Sequence, residues 1–330
     1  MRLIPRDRLH TAPKTLAIAL LAAALTAACF SSSSSSASSV KGGSLAQGVS
    51  LTGATFTLGS KEFTEQLVLC HITSLALQSV GATVREKCGL QGSNTTRAAL
   101  TSGSTDMYWE YTGTAWINYL GHTEPIKDPA QQYNSVAQED LAKNQVKWLT
   151  ASPANDTYAI GVKSSTADKL GVKSISDYAR LVQTNPSDAS MCVASEFAGR
   201  SDGLPGLEKA YGFTVPSAGL ATLAEGAIYD AISKGNPCNF GEITTTDGRI
   251  QALGLTVLND DKEFFPVYNP ALTVRESVYK DRQDLAKIAE PIAAALTNEE
   301  FQRLNGDVDV KGKDPEKVAQ DWLKAKGFIG

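Results

Sequence analysis

Short runs rich in β-forming residues alternate with longer stretches of helical periodicity along the chain from Leu51 onward. Residues 55–58 predict a strand closed by a Gly-Ser pair. The stretch 63–80 is apolar on most sides and stops at Gly81, which predicts a largely buried helix. Strands and helices alternating at such lengths predict a parallel α/β sheet.

The alternation repeats over the rest of the chain. Further strands are predicted near residues 82–85, 106–111, 158–162, 190–194 and 239–244. Further helices are predicted at 95–101, 175–183 and 225–234, and the C-terminal part is helical, with a capping box from Thr297 and a proline after Asp314. For a chain of 330 residues, two α/β lobes with a cleft between them are the simplest architecture.

The N-terminal segment has the pattern of an export signal. Four basic residues precede an uncharged apolar run from Leu16 to Ala28, which is too short to span a bilayer but fits a signal-peptide core. The run ends in small residues directly before Cys29, which resembles a bacterial lipobox. We therefore predict a lipoprotein signal peptide at 1–28 and a lipidated Cys29. The alternative is an ordinary signal peptide cleaved nearby, with Cys29 incidental.

A serine- and glycine-rich tract follows Cys29 and predicts a flexible tether over residues 29–50. A lipid anchor and a tether would hold a folded domain just outside a membrane. The protein is therefore expected to be extracytoplasmic, at the outer face of the cell membrane or in the periplasm.

Composition and charge narrow the function classes. The chain has 42% hydrophobic residues, 20% charged residues and a formal net charge of −4, as in an ordinary soluble globular protein. The slight acidic excess argues against nucleic acid as a partner, because neutralising phosphates requires a concentrated basic face. With three histidines, a histidine-built metal site is not expected.

Four cysteines besides Cys29 are present: Cys70, Cys88, Cys192 and Cys238. An oxidising compartment favours two disulfides over four free thiols. Four cysteines allow three connectivities. Pairing each with its nearest neighbour, Cys70 with Cys88 and Cys192 with Cys238, would keep each bridge inside one lobe.

The sequence contains no GxSxG, Walker, HExxH or GxGxxG motif. We therefore expect a protein that is not an enzyme and that uses no cofactor, metal or nucleotide. Aromatic residues are more informative, since Tyr111, Tyr158 and Tyr268 lie at predicted strand or loop ends. Tyrosines that converge from different strand ends can enclose a cation through their ring faces, although core packing is the simpler interpretation.

Five motifs occur in order along the chain: Gly59 to Gln66, Glu110 to Thr114, Phe197 to Gly203, Thr246 to Ile250 and Phe264 to Tyr268. Together they closely resemble the glycine betaine/choline-type substrate-binding proteins of osmoprotectant ABC importers. The resemblance extends from about Leu51 to the C-terminus, and five ordered motifs with family-like spacing are a specific signal.

The resemblance implies a two-lobed type II periplasmic-binding-protein fold, in which the chain crosses between the lobes twice. We place the crossings near Asn155 and just after Arg249. Lobe 1 would then comprise residues 51–155 and 250–330, and lobe 2 residues 156–249.

Matched residue by residue, the resemblance places Lys61, Thr114 and Arg200 where the family binds a ligand carboxylate. These residue types suit the role, because arginine offers a planar fork, lysine a point charge and threonine a hydroxyl donor.

Tyr111, Tyr158 and Tyr268 match walls of the family's aromatic box around a quaternary ammonium. Asp156 matches a cleft position that can approach the cationic head or orient the box. The fourth wall is usually a tyrosine, and it aligns here with Thr244.

The box is therefore three-sided or completed by another residue, such as Phe240 or Trp109, while Glu242 nearby can add an acidic group. The threonine could widen the pocket for a bulkier betaine, carnitine or choline ester. It could also weaken trimethylammonium binding altogether.

The resemblance thus implies a monomeric, lipid-anchored binding protein for a quaternary-ammonium osmoprotectant (glycine betaine, choline, carnitine or proline betaine), which it delivers to an ABC permease in the cytoplasmic membrane. An alternative is a binding protein for another small zwitterion, such as an amino acid or ectoine. A primary ammonium needs two or three acceptors, so Asp156 and Glu242 would favour that alternative if both line the cleft. A surface enzyme or sensor on the same scaffold is a third hypothesis.

Overall fold

The computed structural model describes residues 40–330. In chain order, the strands are β1 (Thr55–Lys61), β2 (Thr83–Leu90), β3 (Met107–Tyr111), β4 (Val146–Ala151), β5 (Tyr158–Lys163), β6 (Met191–Val193), β7 (Leu220–Thr222), β8 (Phe240–Thr244), β9 (Leu255–Val257) and β10 (Pro270–Arg275). The helices are α1 (Thr64–Ser79), α2 (Ser93–Thr101), α3 (Thr112–Thr114), α4 (Pro129–Asn144), α5 (Ser164–Leu170), α6 (Ile175–Thr184), α7 (Ser195–Gly199), α8 (Leu204–Tyr211), α9 (Glu225–Lys234), α10 (Arg249–Ala252), α11 (Glu276–Asp281), α12 (Leu285–Ala295), α13 (Asn298–Asp309) and α14 (Pro315–Ala325). Between residues 40 and 330, no helix combines the length and apolar character that crossing a membrane requires.

The first lobe is built on a five-stranded sheet in the order β2-β1-β3-β10-β4. Helix α1 is buried on nearly all sides, because it packs between this sheet and the C-terminal helices α13 and α14. The core that they enclose contains Trp109, Phe301 and Trp322. The apolar pattern of residues 63–80 thus correctly predicted a buried helix.

The second lobe is built on a five-stranded sheet in the order β7-β6-β8-β5-β9. Both sheets are mixed, whereas the alternation of elements predicted parallel sheets. In each sheet one strand is antiparallel to its neighbours, β10 in the first and β5 in the second. Each is the first strand after a crossing between lobes, where the chain enters directly and without the helical crossover that parallel pairing requires.

The two crossings lie side by side. The chain leaves lobe 1 between Ala151 and Tyr158 and returns between Val257 and Pro270. The backbone N–H of Asp156 on the outgoing segment donates to the carbonyl of Tyr268 on the returning one, at 3.1 Å.

The predicted position of the return, just after Arg249, is wrong. Helix α10 begins there but leads into β9, which pairs with β5 and so adds residues 255–257 to the second sheet. The polar turn before α10 has a composition typical of a hinge. The three-residue strand after it is too short to produce a recognisable pattern.

Residues 40–50 pack against the first lobe, although the composition predicted a tether through residue 50. Leu45 and Val49 are buried in its core, and Gly42 forms a β-bridge with Ile329. Burying these apolar side chains stabilises the packed position, and the preceding serine-rich tract has few side chains that could do the same. The predicted signal peptide, the lipidated Cys29 and residues 29–39 of the tether lie outside the described residues.

Each lobe contains one disulfide. Cys70 of α1 bonds to Cys88 of β2, and Cys192 of β6 bonds to Cys238, just before β8. Their Cα atoms are 6.3 and 5.6 Å apart, within the usual range for a disulfide. Of the three connectivities open to the sequence, the structure therefore has the nearest-neighbour one.

Candidate functional site

A cleft of about 640 Å³ lies between the lobes, where β1 and β3 of the first sheet and β8 of the second sheet end. In α/β sheets, ligands bind outside the carboxyl ends of the strands. All eight predicted site residues line this cleft: Lys61, Tyr111, Thr114, Asp156, Tyr158, Arg200, Thr244 and Tyr268. They come from both lobes and from both crossing segments.

Lys61, the last residue of β1, is buried and paired with Glu110 of β3. Its Nζ donates to Glu110 Oε1 at 2.8 Å, while the hydroxyls of Tyr108 and Tyr119 donate to Oε2 at 2.7 and 2.8 Å. The ammonium also lies 5.0 Å from the ring centroid of Tyr111. The charge of Lys61 is thus already balanced, but an ammonium has three N–H donors and can contact a ligand as well.

Arg200 is held by carboxylates of its own lobe. Its Nε and Nη2 form a bidentate pair with Asp202, and its Nη1 donates to Glu196 at 2.8 Å. Nη2 lies 3.5 Å from Thr114 Oγ1, and the guanidinium lies 5.5 Å from the ring centroid of Tyr158. The fork that the sequence predicted as a carboxylate clamp is therefore engaged with Asp202, and Nη1 is the atom best able to share a hydrogen bond.

Glu196 joins the two lobes across the cleft. The backbone N–H and hydroxyl of Ser93, in the first lobe, donate to its carboxylate at 3.0 and 2.6 Å. Burial by itself would raise the pKa of Glu196, but the charges of Lys61 and Arg200 and the hydrogen bonds from Ser93 lower this pKa to about 2. Glu196 is therefore ionised at neutral pH.

The three predicted tyrosines have fixed rings. The hydroxyl of Tyr111 donates to Glu65 at 2.9 Å, and that of Tyr268 donates to Asp202 at 2.7 Å. The rings of Tyr158 and Tyr268 meet edge to face, with centroids 5.4 Å apart. Burial raises the pKa of all three phenols, so they remain neutral.

Thr244 lies at the end of β8, where the fourth wall of an aromatic box is expected. The two predicted substitutes for that wall are wrong, because Phe240 and Trp109 are fully buried in the lobe cores and neither lines the cleft. Phe63 lines it instead, with its ring stacked 6.1 Å from that of Tyr111. Phe63 lies in a recognised motif and directly precedes α1, whereas the pattern of residues 63–80 predicts it as part of the helix.

A buried network behind Tyr111 links the lobes. Thr246 donates its hydroxyl to Asp156 at 2.6 Å, and Asn305 of α13 donates to both Glu65, at 3.0 Å, and the carbonyl of Thr246, at 3.1 Å. Burial raises the pKa of Asp156 to about 6. Burial and the nearby Asp156 raise the pKa of Glu65, so these two carboxyl groups disfavour ionising together.

Two further carboxylates line the second-lobe wall. Glu242 is 2% exposed and accepts a hydrogen bond from the Ala194 N–H at 2.8 Å. Burial and the neighbouring Glu225 raise the pKa of Glu242. Burial, with the charges of Asp156 and Asp247, raises the pKa of Glu225 to about 8.

Sequence reasoning missed most of the charged residues that hold the site together: Glu65, Glu110, Glu196, Asp202, Glu225 and Arg249. Glu110 and Asp202 lie one and two residues from predicted site residues, within recognised motifs, so proximity was an available signal. Glu225 begins a helix outside the recognised motifs, and no feature of the neighbouring sequence predicts that it lines the cleft.

Three comparisons place the chain among known proteins. A family model described as the substrate binding domain of an ABC-type glycine betaine transport system matches residues 54–325. A glycine-betaine-binding protein of Pseudomonas aeruginosa is 38% identical over 275 residues, covering 82% of this chain and 87% of that protein. An ergothioneine transport permease/ergothioneine binding protein of Helicobacter pylori is 31% identical over 275 residues, covering 82% of this chain and 47% of that protein.

The fold is also found among solved structures. The apo structure of YehZ from Escherichia coli is 34% identical and superposes with a TM-score of 0.62, covering 84% of this chain and all of the other. The predicted α/β fold of two lobes around a cleft is thereby confirmed.

Proposed function

The chain belongs to the family of substrate-binding domains of ABC-type glycine betaine transport systems, and from this premise we propose that its cleft captures a small quaternary-ammonium osmoprotectant. Glycine betaine, choline, carnitine and proline betaine are the candidate ligands. The observation that carries the proposal is the convergence of three tyrosine rings with the donors Lys61, Thr114 and Arg200 in one cleft.

The aromatic side of the cleft suits a methylated ammonium. Such a group has no N–H to donate, so ring faces attract it better than hydrogen-bond acceptors do. The hydroxyls of Tyr111 and Tyr268 are anchored to buried carboxylates, which keeps the two rings in place before a ligand arrives. Phe63, stacked on Tyr111, adds a fourth aromatic ring to the cleft.

The donor side suits a carboxylate. Lys61 Nζ, Arg200 Nη1 and Thr114 Oγ1 can share hydrogen bonds with it. Because Glu110 and Asp202 already balance the two positive charges, a ligand carboxylate gains hydrogen bonds but no free counter-ion. We therefore infer that the carboxylate is held by hydrogen bonds shared with these ion pairs, while the aromatic rings hold the cationic group.

Delivery of the ligand to a transporter would depend on a closed form in which both lobes contact the ligand. A ligand bridging the lobes would favour a closed form through contacts available only there. The closed protein would dock on an ABC permease as a monomer, and a lipid anchor at Cys29 would keep it near the membrane. The role is capture and transfer, not catalysis.

A second candidate has a specific observation in its favour. Asp156 and Glu242 both line the cleft, and two carboxylates there would suit a primary ammonium. A small zwitterion such as an amino acid or ectoine is therefore the alternative ligand.

A thermal-shift screen of the purified protein distinguishes the two. The panel contains glycine betaine, proline betaine, carnitine, choline, ergothioneine, ectoine and the common amino acids. A ligand that binds the native state alone raises the melting temperature. We expect shifts with quaternary-ammonium compounds, and shifts with primary amines alone would overturn the aromatic box.

The screen is repeated with Tyr158→Ala, which should abolish the betaine shift. The matched control is Tyr279→Ala. Like Tyr158 beside Arg200, Tyr279 has a cation 5.5 Å from its ring centroid, here the Lys147 ammonium, but it lies outside the cleft. A control variant that loses the shift equally would place the ligand elsewhere.

A further inference from the structure

The fourth recognised motif, Thr246 to Ile250, supplies no residue to the proposed ligand contacts. It follows β8 in the second lobe and packs against α13 of the first lobe. Gln302 of α13 donates its side-chain amide to the carbonyl of Thr245 at 2.9 Å. Asn305 of α13 donates in the same way to the carbonyl of Thr246 at 3.1 Å. The motif therefore forms a direct contact between the lobes.

Gly248 brings the two backbones of this contact close together. A Cβ atom at this position would lie 2.5 Å from the carbonyl oxygen of Gln302 and 2.6 Å from the Cα of Gly306, both in the backbone of α13. The φ angle of Gly248 is −68°, which any residue can adopt. Glycine is thus required here by the approach of the other lobe and not by the local backbone conformation.

Arg249 is held in place by its own lobe and points one free donor at the other. Its Nε donates to Asp247 Oδ1 at 2.9 Å, its Nη2 also pairs with Asp247, and its Nη1 donates to the carbonyl of Gly226 at 3.0 Å. The guanidinium lies 4.1 Å from the ring centroid of Tyr229. A guanidinium has five N–H groups, so Nη2 retains one donor, and this atom lies 3.6 Å from Asp309 Oδ2.

Asp309, the last residue of α13, offers an acceptor that is not used. Its Oδ1 accepts the hydroxyl of Thr64 at 2.6 Å, whereas its Oδ2 is buried and accepts no hydrogen bond within residues 40–330. A buried acceptor without a donor is costly. A relative movement of about 0.7 Å would shorten the 3.6 Å separation from Arg249 Nη2 to that of an ordinary hydrogen bond.

We propose that Arg249 and Asp309 form a latch between the lobes, which closes when a bound ligand draws the lobes together by this remaining distance. Arg249 Nη2 then donates to Asp309 Oδ2, and this hydrogen bond exists only in the closed form. The two residues act through the position of the lobes and are positioning residues. The inference rests on the proposed function, because the latch requires a ligand that closes the cleft.

Asp309→Asn tests the latch, because the amide keeps an acceptor for Thr64 but loses the charge that faces Arg249. Titration calorimetry should show affinities about tenfold weaker, as for the loss of a charge-assisted hydrogen bond. Glycine betaine and choline should lose the same factor, since the change acts on closure and not on one part of the ligand. Stopped-flow fluorescence should assign the loss to faster dissociation, because the latch forms after the ligand has entered.

Two matched controls come from the same helix. Asp307→Asn removes a carboxylate that pairs with Lys311 and Lys313 inside the first lobe, and it should bind both ligands normally. Gly248→Ala should weaken both ligands, whereas Gly306→Ala should not, because a Cβ atom at Gly306 lies 3.7 Å from its nearest neighbour. Circular dichroism of each ligand-free variant shows whether it is folded, so that misfolding is not mistaken for a lost latch.

Unchanged affinities in Asp309→Asn, a loss confined to one ligand, or an equal loss in Asp307→Asn would overturn the latch, while glycine betaine binding would still support the proposed function. If no quaternary-ammonium compound binds the wild-type protein, the proposed function itself fails. The variants are then compared with the compound of the thermal-shift panel that does bind, since the latch predicts the same loss for any ligand that closes the cleft.

Discussion

The two walls of the cleft balance their buried charges differently. On the first-lobe wall, Lys61 is paired with Glu110, whose other oxygen accepts two tyrosine hydroxyls. On the second-lobe wall, Arg200 is paired with acidic residues, but Glu225 and Glu242 have no basic partner within residues 40–330. The charged side chains of the first wall are thus paired without a ligand, whereas two acidic side chains of the second wall have no basic partner within the described residues.

This difference separates two tasks. Burying a charge is costly unless it is paired and hydrogen-bonded, so the completed first wall acts as a rigid frame that holds Tyr111 and Lys61 in place. On the second wall, burial raises the pKa of Glu225 and Glu242, so a cationic ligand that approaches them would favour their ionised forms. We infer that the first wall provides general affinity and that the second wall selects among ligands.

Of the predicted changes, replacing Arg200, the cation that the second wall offers to a ligand carboxylate, should have the largest effect on affinity. Arg200→Ala removes a carboxylate donor and leaves Asp202 unpaired, so glycine betaine should lose about a hundredfold in affinity. Choline has no carboxylate and should lose less than about tenfold. Titration calorimetry measures both.

The control for this change is Arg180→Ala, which removes an exposed arginine paired with Asp177 away from the cleft. It should bind both ligands normally. Equal losses of betaine and choline in Arg200→Ala would remove Arg200 from carboxylate recognition.

On the first wall, Tyr111→Ala should weaken glycine betaine and choline alike, by about tenfold or more, since both carry the trimethylammonium group. Tyr111→Phe keeps the ring and loses only the hydroxyl that donates to Glu65, so its affinities should stay within about threefold of wild type. If Tyr111→Ala binds both ligands as well as wild type does, the first wall takes no part in cation binding.

The last prediction concerns how the stability of the folded protein depends on pH. Glu225 faces Asp156, Asp247, Glu196 and Arg249, and its pKa is raised to about 8. The native state then binds a proton that the unfolded state releases above about pH 4, so this group's contribution to stability falls as pH rises from about 4 to 8.

Glu225→Gln cannot titrate and should therefore lose less melting temperature than wild type between pH 5 and pH 8, by about 5 °C or more. Scanning calorimetry at both pH values measures the difference. Parallel pH profiles of the two proteins would show that Glu225 titrates normally.

Local patterns predicted elements whose residues are close in the sequence. The buried helix α1, the strands β1 and β3 and the cleft residues Lys61 and Tyr111 all lie in motifs of a few residues, where periodicity or a recognised spacing is visible. Strands β4, β7, β9 and β10 were not predicted, and the missed β9 misplaced the second crossing.

Partners of charged residues were harder to predict, because they depend on the register between distant segments. Glu110 meets Lys61 across 49 residues, and Asp202 meets Tyr268 across 66. The wrong candidates for the fourth wall have the same origin. Phe240 and Trp109 are aromatic and near the motifs, but their strands direct them into the cores.

The sequence by itself determined the α/β class, the two lobes, the two-disulfide framework and the set of rings and donors available to a ligand. The alternation of strands and helices, the number of cysteines and the order of the motifs are visible in the amino-acid sequence alone. Only the tertiary structure decided which of those charges are neutralised and which remain for a ligand. The free energy of a buried charge depends on its distance to other groups and to water, and packing sets both distances between segments far apart in the sequence.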